Sequence, residues 1–348
     1  MVNMVINPAS KSGHGLEMWK ELEDWLLKHS IEYEAFLSKG PGDVTRIVHE
    51  LCENGLSKAS SMLRIIILGG DGTFNEALQG ITDFDCVEIG YIPTGSSNDL
   101  ARDLGIKGDP SFLLSRILVC DKPHLMDLGR LTYHDSASER SRLHEEKDSD
   151  TRYFAVSCGI GYDAAICEEA LASHFKNTLN RLGLGKLTYL TIALKQLILT
   201  KRGNCTITLD GKEPFELKSF LFIATMIHRF EGGGFMFCPD ADAQDGRFNL
   251  CSRTKQPGSQ KCWTGHLPDA EQAEAAMAYQ AFVLKNATEL FRRLRSQNDC
   301  LAGTMPFTIV FHHWDGVSSF AEMKPKPVAR QYQLSYQPIL LSWENWQS

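Results

Sequence analysis

No stretch of the 348-residue chain approaches the ~20 uninterrupted apolar residues that a membrane-spanning helix needs. Its ten cysteines never form a C-x-x-C pair. That disfavours a zinc or disulfide framework, and most of the thiols read as small buried hydrophobes in a reducing cytoplasm. No Gly-Lys-Ser or Gly-Lys-Thr follows a glycine-rich stretch, so there is no Walker A loop. Nor does a G-x-G-x-x-G follow the first strand-like run, which disfavours a dinucleotide redox enzyme. Positive charge is in short supply: 36 Lys and Arg stand against 43 Asp and Glu, a formal net charge of −7. This argues against a nucleic-acid partner, although a local basic patch facing an anionic membrane stays compatible with it. The opening residues, Met1 to Pro8, lack a basic segment and a long apolar stretch, and read as a strand rather than a signal peptide. The expected location is the cytoplasm.

What is present is the composition of an ordinary globular enzyme, 43% apolar and 23% charged, in a length that suggests about two domains. The first third alternates strand and helix signals. Residues 2–6 read as a buried strand, and Leu16, Trp19, Leu22 and Leu26 fall on one helical face. Val44, Ile47, Val48 and Leu51 repeat that spacing, with Gly55 as a C-cap. Strand-like runs at 64–68 and 87–92 are each followed by a glycine-rich turn and a short helix, near 74–78 and 100–104. Strands that alternate with helices imply a parallel sheet, whose ligands bind beyond the carboxyl ends of the strands.

Both turns sit at that edge. Gly69-Gly70-Asp71-Gly72-Thr73 offers backbone N–H groups and close approach for phosphate oxygens. Asp71 would hold Mg²⁺ and Thr73 would donate to a phosphate; the plainer alternative is a tight turn with Asp71 as N-cap. Thr94-Gly95-Ser96-Ser97-Asn98-Asp99 supplies small donors, then an amide and a carboxylate for ribose, base or metal. Its plainer alternative is a helix start capped by Ser96 or Ser97. The loop after the first strand adds Asn7, Ser12 and Gly13 as nucleotide contacts, if it is more than a connecting loop. Without a P-loop lysine, charge on a transferring phosphoryl group must be met by backbone amides and metal.

Gly-Gly-Asp-Gly-Thr-Phe-Asn-Glu at 69–76 and Ile-Pro-Thr-Gly-Ser-Ser-Asn-Asp-Leu-Ala-Arg at 92–102 together resemble the diacylglycerol kinase catalytic-domain family, which includes bacterial lipid kinases and the related sphingosine and ceramide kinases. The resemblance continues through Asn7-Pro8, Asp127-Leu128-Gly129, Tyr153-Phe154, Gly159 to Asp163, Gly232-Gly233-Gly234, Pro239-Asp240-Ala241 and Asp245-Gly246-Arg247-Phe248. The first motif also occurs in NAD kinases and phosphofructokinases; the second separates the lipid kinases from them. The resemblance implies an α/β nucleotide-binding domain with a parallel sheet, of NAD kinase or diacylglycerol kinase type, and a mainly β sandwich domain behind it. It implies ATP, Mg²⁺ and transfer of the γ-phosphate to the hydroxyl of diacylglycerol, giving phosphatidic acid. A sphingoid base or ceramide is the alternative acceptor. Gly69, Gly70, Asp71, Gly72, Thr73, Glu76, Thr94, Gly95, Ser96, Asn98 and Asp99 would cradle the nucleotide. Asp242 and Asp245 are candidates for a second metal, or form a plain polar Asp-Gly turn.

The family pattern carries an Asp-Gly-Glu near its end, whose Asp is the candidate general base. Here the run is His313-Trp314-Asp315-Gly316-Val317. Asp315 is therefore the expected base, and Glu322 the carboxylate that would replace the missing Glu. The departure at Val317 keeps open a second class of function, a catalytically impaired nucleotide or lipid sensor.

The expected domains are 1–127, completed by 330–345, and 128–329. The second half has β-like runs at 153–157, 205–209, 215–226, 248–251 and 307–311, with helices at 186–199 and 270–295. Residues 134–150 are almost wholly polar and read as an exposed insertion. The closing run 332–343 is strand-like and expected to return to the first domain. The apolar and basic segment 184–202 reads as a core helix with a basic end, or as an interfacial helix. A lipid substrate implies transient contact with the inner face of a membrane; a homodimer is left open.

Overall fold

Residues 65–68, Ile-Ile-Ile-Leu, have no exposed surface on either side of their strand. Such a strand needs cover on both faces, and helices supply it. The computed structural model describes residues 2–56, 62–134, 151–172, 192, 195–197, 199–209, 213–253, 298–304, 307–312 and 331–342. Its first part runs β1 (Val2–Ile6), α1 (Ser10–Gly13), α2 (Gly15–Lys28), β2 (Tyr33–Leu37), α3 (Asp43–Leu56), β3 (Leu63–Gly69), α4 (Asp71–Leu78), β4 (Val87–Pro93), α5 (Asp99–Asp103), α6 (Pro110–Leu118) and β5 (His124–His134). Strands β2, β1, β3 and β4 lie side by side, all parallel. Met4, Ile6, Ile66, Leu68 and Ile92 pack with Trp19, Leu22, Leu26 of α2 and Leu113, Leu114, Ile117 of α6. Val5, Ile65, Ile67, Ile89 and Tyr91 form the other face, with Val44, Ile47, Val48 of α3 and Phe74, Ala77, Leu78 of α4. The period of two is the pleat itself.

Four details differ from the expectation. The run 153–157 is divided between two strands of different sheets, Thr151–Phe154 and Ser157–Gly161, with Ala155 and Val156 in neither. Leu16 is exposed, and Gly15 is buried in its place, because a side chain there would run into Asn7 O and Ser10 Oγ. Gly55 lies within α3 rather than capping it, without a left-handed φ; a Cβ there would stand 3.1 Å from Leu63 Cδ1. The run 215–226 is two strands in different sheets, divided at Leu221 just after Ser219 takes φ 54°.

Beyond residue 150 come β6 (Thr151–Phe154), β7 (Ser157–Gly161), α7 (Tyr162–Ala172), β8 (Gly203–Leu209), β9 (Phe215–Phe220), β10 (Phe222–Met226), β11 (Phe230–Glu231), β12 (Phe235–Met236), β13 (Arg247–Arg253), β14 (Asn298–Thr304), β15 (Phe307–His312) and β16 (Gln331–Ser342). The connecting strand is β16. Its end runs parallel to β4 at Leu340–Ser342, while its length pairs antiparallel with β5, from Gln331 against His134 to Leu341 against His124. The parallel sheet thus continues through β16 into β15, β8 and β9, which are antiparallel. A second antiparallel sheet, β14-β13-β10-β7, shares a core with the first through Phe154, Ile207, Phe220, Ile223, Phe248 and Leu250. The fold class is therefore as expected: a parallel α/β part followed by antiparallel β sheets. Gln79 links the two parts by mimicking a peptide: its side-chain amide donates to Tyr153 O at 2.8 Å and accepts from Tyr153 N–H at 3.0 Å. Among the described residues, no helix is long and apolar enough to cross a membrane. The expected helix 270–295 lies outside the described residues, as do residues 135–150 of the expected insertion and most of 186–199; His134, the first residue of that insertion, instead ends β5.

At the amino-terminal end of the parallel strands, Arg64 grips Glu88 with Nε–Oε1 at 3.0 Å and Nη2–Oε2 at 3.2 Å. Arg64 Nη2 also donates to Cys120 O at 3.0 Å. Glu88 is buried and Arg64 half-buried. Glu88→Ala is expected to cost about 3 kcal/mol, the lower end for a broken buried pair, because water still reaches the guanidinium. Urea denaturation would read this as a lowered midpoint. The glycine turns lie at the opposite strand ends, so any ligand affinity they carry should be unchanged.

Candidate active site

Three loops meet where β1, β3 and β4 end. Thr94 N–H donates to Gly69 O at 2.7 Å, Asn7 Nδ2 donates to Thr73 Oγ1 at 2.9 Å, and Ser10 Oγ lies 2.7 Å from Thr94 Oγ1. The two glycine turns touch backbone to backbone. A Cβ on Gly70 would lie 2.8 Å from Gly95 Cα, and one on Gly95 would lie 2.7 Å from Gly70 Cα. Around Gly72, by contrast, a Cβ would meet nothing within 4 Å. Gly70 is the N-cap of α4, and no side chain caps that helix. The N–H groups of its first turn are thus left to a ligand or water, with the positive end of the helix dipole behind them.

This geometry separates two alanine substitutions. Gly95→Ala presses a methyl group on backbone that cannot rotate away, so the turns must part. It is expected to cost about 1–3 kcal/mol of stability and to weaken nucleotide binding. Gly72→Ala lies in a helix with free space, so stability should hold or rise by about 0.4–1 kcal/mol. If that open space receives a phosphate, the methyl would crowd it and binding should weaken as well. Melting curves beside titration with an ATP analogue check both.

Asp71 is the first residue of α4, yet its carboxylate serves α5. Oδ2 accepts from Asp99 N–H at 2.9 Å and Oδ1 from Leu100 N–H at 3.3 Å, while Tyr91 OH donates to Oδ1 at 3.4 Å. Asp71 is needed there because the N-cap of α5, Asn98, is occupied elsewhere. Held at φ 50°, Asn98 accepts from Gly95 N–H at 2.8 Å and donates to Gly95 O at 3.0 Å. The cap is therefore neither Ser96 nor Ser97, and both serines are exposed. Burial pushes the Asp71 carboxyl above the usual aspartate range, with the Asp99 charge adding to the rise, against the pull of the two N–H donors. Burial, joined by the Asp71 charge, likewise holds Tyr91 well above its ordinary value.

Asp99 is buried. Its Oδ2 accepts from Gly233 N–H at 2.8 Å, but its Oδ1 has no hydrogen-bond donor, and the Arg102 Nε stands 3.7 Å away. An orphaned carboxylate oxygen suits Mg²⁺, which is commonly held by one or two carboxylates plus water and substrate phosphates. Among the described residues, no group of three or more His, Cys, Asp or Glu converges to hold a metal unaided. The residues present thus fit a metal that arrives with a nucleotide.

The remaining expected site residues divide. Ser12 and Gly13 lie in α1, beside the cluster, with Gly13 at φ 100°. Glu76 is directed elsewhere: Oε1 accepts from Val44 N–H at 3.2 Å, at the start of α3. Asp242 and Asp245 close their own turn, accepting from Gln244 N–H at 3.0 Å and Arg247 N–H at 2.9 Å. Burial raises the Asp245 carboxyl, and the Asp242 charge adds to it. That turn is fastened to β5 by Asp127, whose Oδ2 accepts from Gly246 N–H at 2.7 Å. Asp315 and Glu322 lie outside the described residues. Sequence reasoning missed Asp103, His228 and Arg229, which join α5 to the second half. Their pairing spans 125 and 126 positions, and no local signal marks it.

Two family models match the chain in succession. The diacylglycerol kinase catalytic domain matches residues 1–131, and the YegS C-terminal NAD kinase beta sandwich-like domain matches 156–256. Bacillus subtilis (strain 168) YtlR, which carries a lipid kinase name, is 26% identical over 261 residues, 74% of this chain and 79% of that protein. The diacylglycerol kinase of Mycobacterium tuberculosis (strain ATCC 25618 / H37Rv) is 26% identical over 197 residues, so the match spans 55% of this chain and 56% of that relative. A crystal structure of a diacylglycerol kinase from Bacillus anthracis str. Sterne shares the fold at a TM-score of 0.57 and 17% identity, covering 99% of this chain and 96% of that one. The fold is that of the diacylglycerol kinase-like lipid kinases. The chain belongs to the diacylglycerol kinase and YegS-like lipid kinase family.

Proposed function

We propose that this lipid kinase takes ATP with Mg²⁺ and phosphorylates the hydroxyl of diacylglycerol or a similar lipid alcohol, giving phosphatidic acid. The observation that carries the reading is the open face at Gly72, where the uncapped start of α4 meets the interlocked loops. Backbone N–H groups of residues 71–73 would hold phosphate oxygens, and Asp99 would hold the metal together with those oxygens. Mg²⁺ would neutralise charge on the phosphates as it develops. The lipid oxygen forms the new bond to the γ-phosphorus while the bond to the ADP oxygen breaks. The resemblance assigns the hydroxyl proton to Asp315. On this reading, 1–127 with 330–345 binds nucleotide and 128–329 meets the lipid, in a cytoplasmic protein that touches the inner face of the membrane only transiently.

The purified chain, incubated with γ-labelled ATP, Mg²⁺ and mixed micelles of diacylglycerol, should place label in phosphatidic acid. Label appearing only when ceramide or a sphingoid base replaces diacylglycerol would change the acceptor. ATP binding without transfer to any of these lipids would sink the kinase reading in favour of a sensor.

A further inference from the structure

Helix α5 carries a buried carboxylate at each end, and both are held by the segment that precedes and includes the glycine triplet. Asp99 accepts from Gly233 N–H at 2.8 Å. Asp103 is held more firmly. His228 Nδ1 lies 2.7 Å from Oδ2, Arg229 Nε donates to Oδ1 at 2.6 Å, and Arg229 N–H donates to Oδ2 at 3.3 Å. Arg229 Nη2 adds a bond to the Asp103 carbonyl at 3.4 Å. His228 has no exposed surface, and the Asp103 side chain is 6% exposed. Burial by itself would raise the Asp103 carboxyl, but His228 and Arg229 outweigh it and hold the group below the usual range. Between these contacts, Arg102 lies against Gly234, where a Cβ would stand 2.9 Å from its Cζ. The guanidinium carbons of Arg102 and Arg229 lie 6.0 and 5.9 Å from the Phe230 ring centre.

A five-residue helix has little stiffness of its own. What fixes Asp99 relative to the phosphate turns is therefore what fixes α5: Asp71 at one end and the Asp103 cluster at the other. We propose that Asp103, His228 and Arg229 are positioning residues for phosphoryl transfer, a clasp that sets α5, and with it Asp99, against the glycine triplet. The inference rests on the phosphotransferase reading of the turns. Displacing a reacting group by about 1 Å can cost about 10²-fold in rate, whereas contacts to the nucleotide through α4 would survive.

The test uses the full chain with Asp103→Asn, which keeps the size and one acceptor, and with Arg229→Lys, both assayed well below their melting temperatures. The expected result is kcat lowered about 10-fold or more, with KM for ATP within about threefold of wild type. Amide exchange at Gly233 should speed up about 10-fold or more, while the amides of Met4 to Ile6 keep their protection. A lowered melting temperature with unchanged kcat would make the cluster structural glue and overturn the proposal, as would unchanged exchange at Gly233. If wild type transfers phosphate to no lipid, the functional reading fails separately. The Gly233 amide then still decides the clasp, by protection lost or kept.

Discussion

Asp71→Asn is expected to lower kcat by about 10²–10³, the scale on which loss of one preorganised polar group acts, while the melting temperature at neutral pH stays within roughly 3 °C. The two readouts part because Asp71 is costly to the fold. Its carboxyl sits above the ordinary value of 3.8, burial being the main cause and the Asp99 charge the next repulsive one. The native state therefore favours the protonated form. That contribution to stability is fully present below 3.8, fades as the pH rises through the raised native value, and leaves a constant penalty above it. Asparagine never ionises and escapes the penalty. Against this, asparagine offers one carbonyl where Asp71 serves the N–H groups of both Asp99 and Leu100; one unpaired donor costs about 1–3 kcal/mol. The terms oppose each other. The pH dependence isolates the first: the stability of Asp71→Asn minus that of wild type should climb through Asp71's titration and flatten above it. A kcat within tenfold of wild type would remove Asp71 from the machinery.

Where the sequence is informative here, the interaction is short in range or fills both sides of a strand. The run 65–68 admits little besides a doubly covered parallel strand, and glycines at 70 and 95 are what a backbone-to-backbone junction demands. Asp109-Pro110 carries an equally local message, an N-cap followed by proline at the first turn, and α6 starts there with Asp109 accepting from Phe112 N–H at 3.2 Å. Strand β2 carries no such local message. Its Tyr-Glu-Ala-Phe-Leu sits at the sheet edge with no residue fully buried, so neither alternation nor a continuous apolar run marks it. The site was legible as composition but not as wiring. Asp71 capping a helix 28 residues on, Asn98 spent on Gly95, and Glu76 serving α3 all depend on which loops the sheet brings together. The strand change at Leu221 is of the same kind: the apolar pattern continues, and only the pairing partners differ.

Asp315→Ala is expected to lower kcat by about 10²–10⁴, the usual worth of a general base, and to leave ATP affinity unchanged, because on the proposed reading the glycine turns would bind the nucleotide without it. The rate of wild type should rise with pH through one ionisation that the variant lacks. The neighbouring position makes the argument sharper. Where the family pattern has Glu, this chain has Val317, and Glu322 is the carboxylate that would stand in for it. If that substitution of roles holds, Glu322→Ala raises the Mg²⁺ requirement, and Val317→Glu restores it in the Glu322→Ala background while adding little to wild type. That non-additivity is the signature of two residues supplying one function. Equal gains from Val317→Glu in both backgrounds would mean that the two carboxylates act independently, and that wild type works with an incomplete metal-organising set.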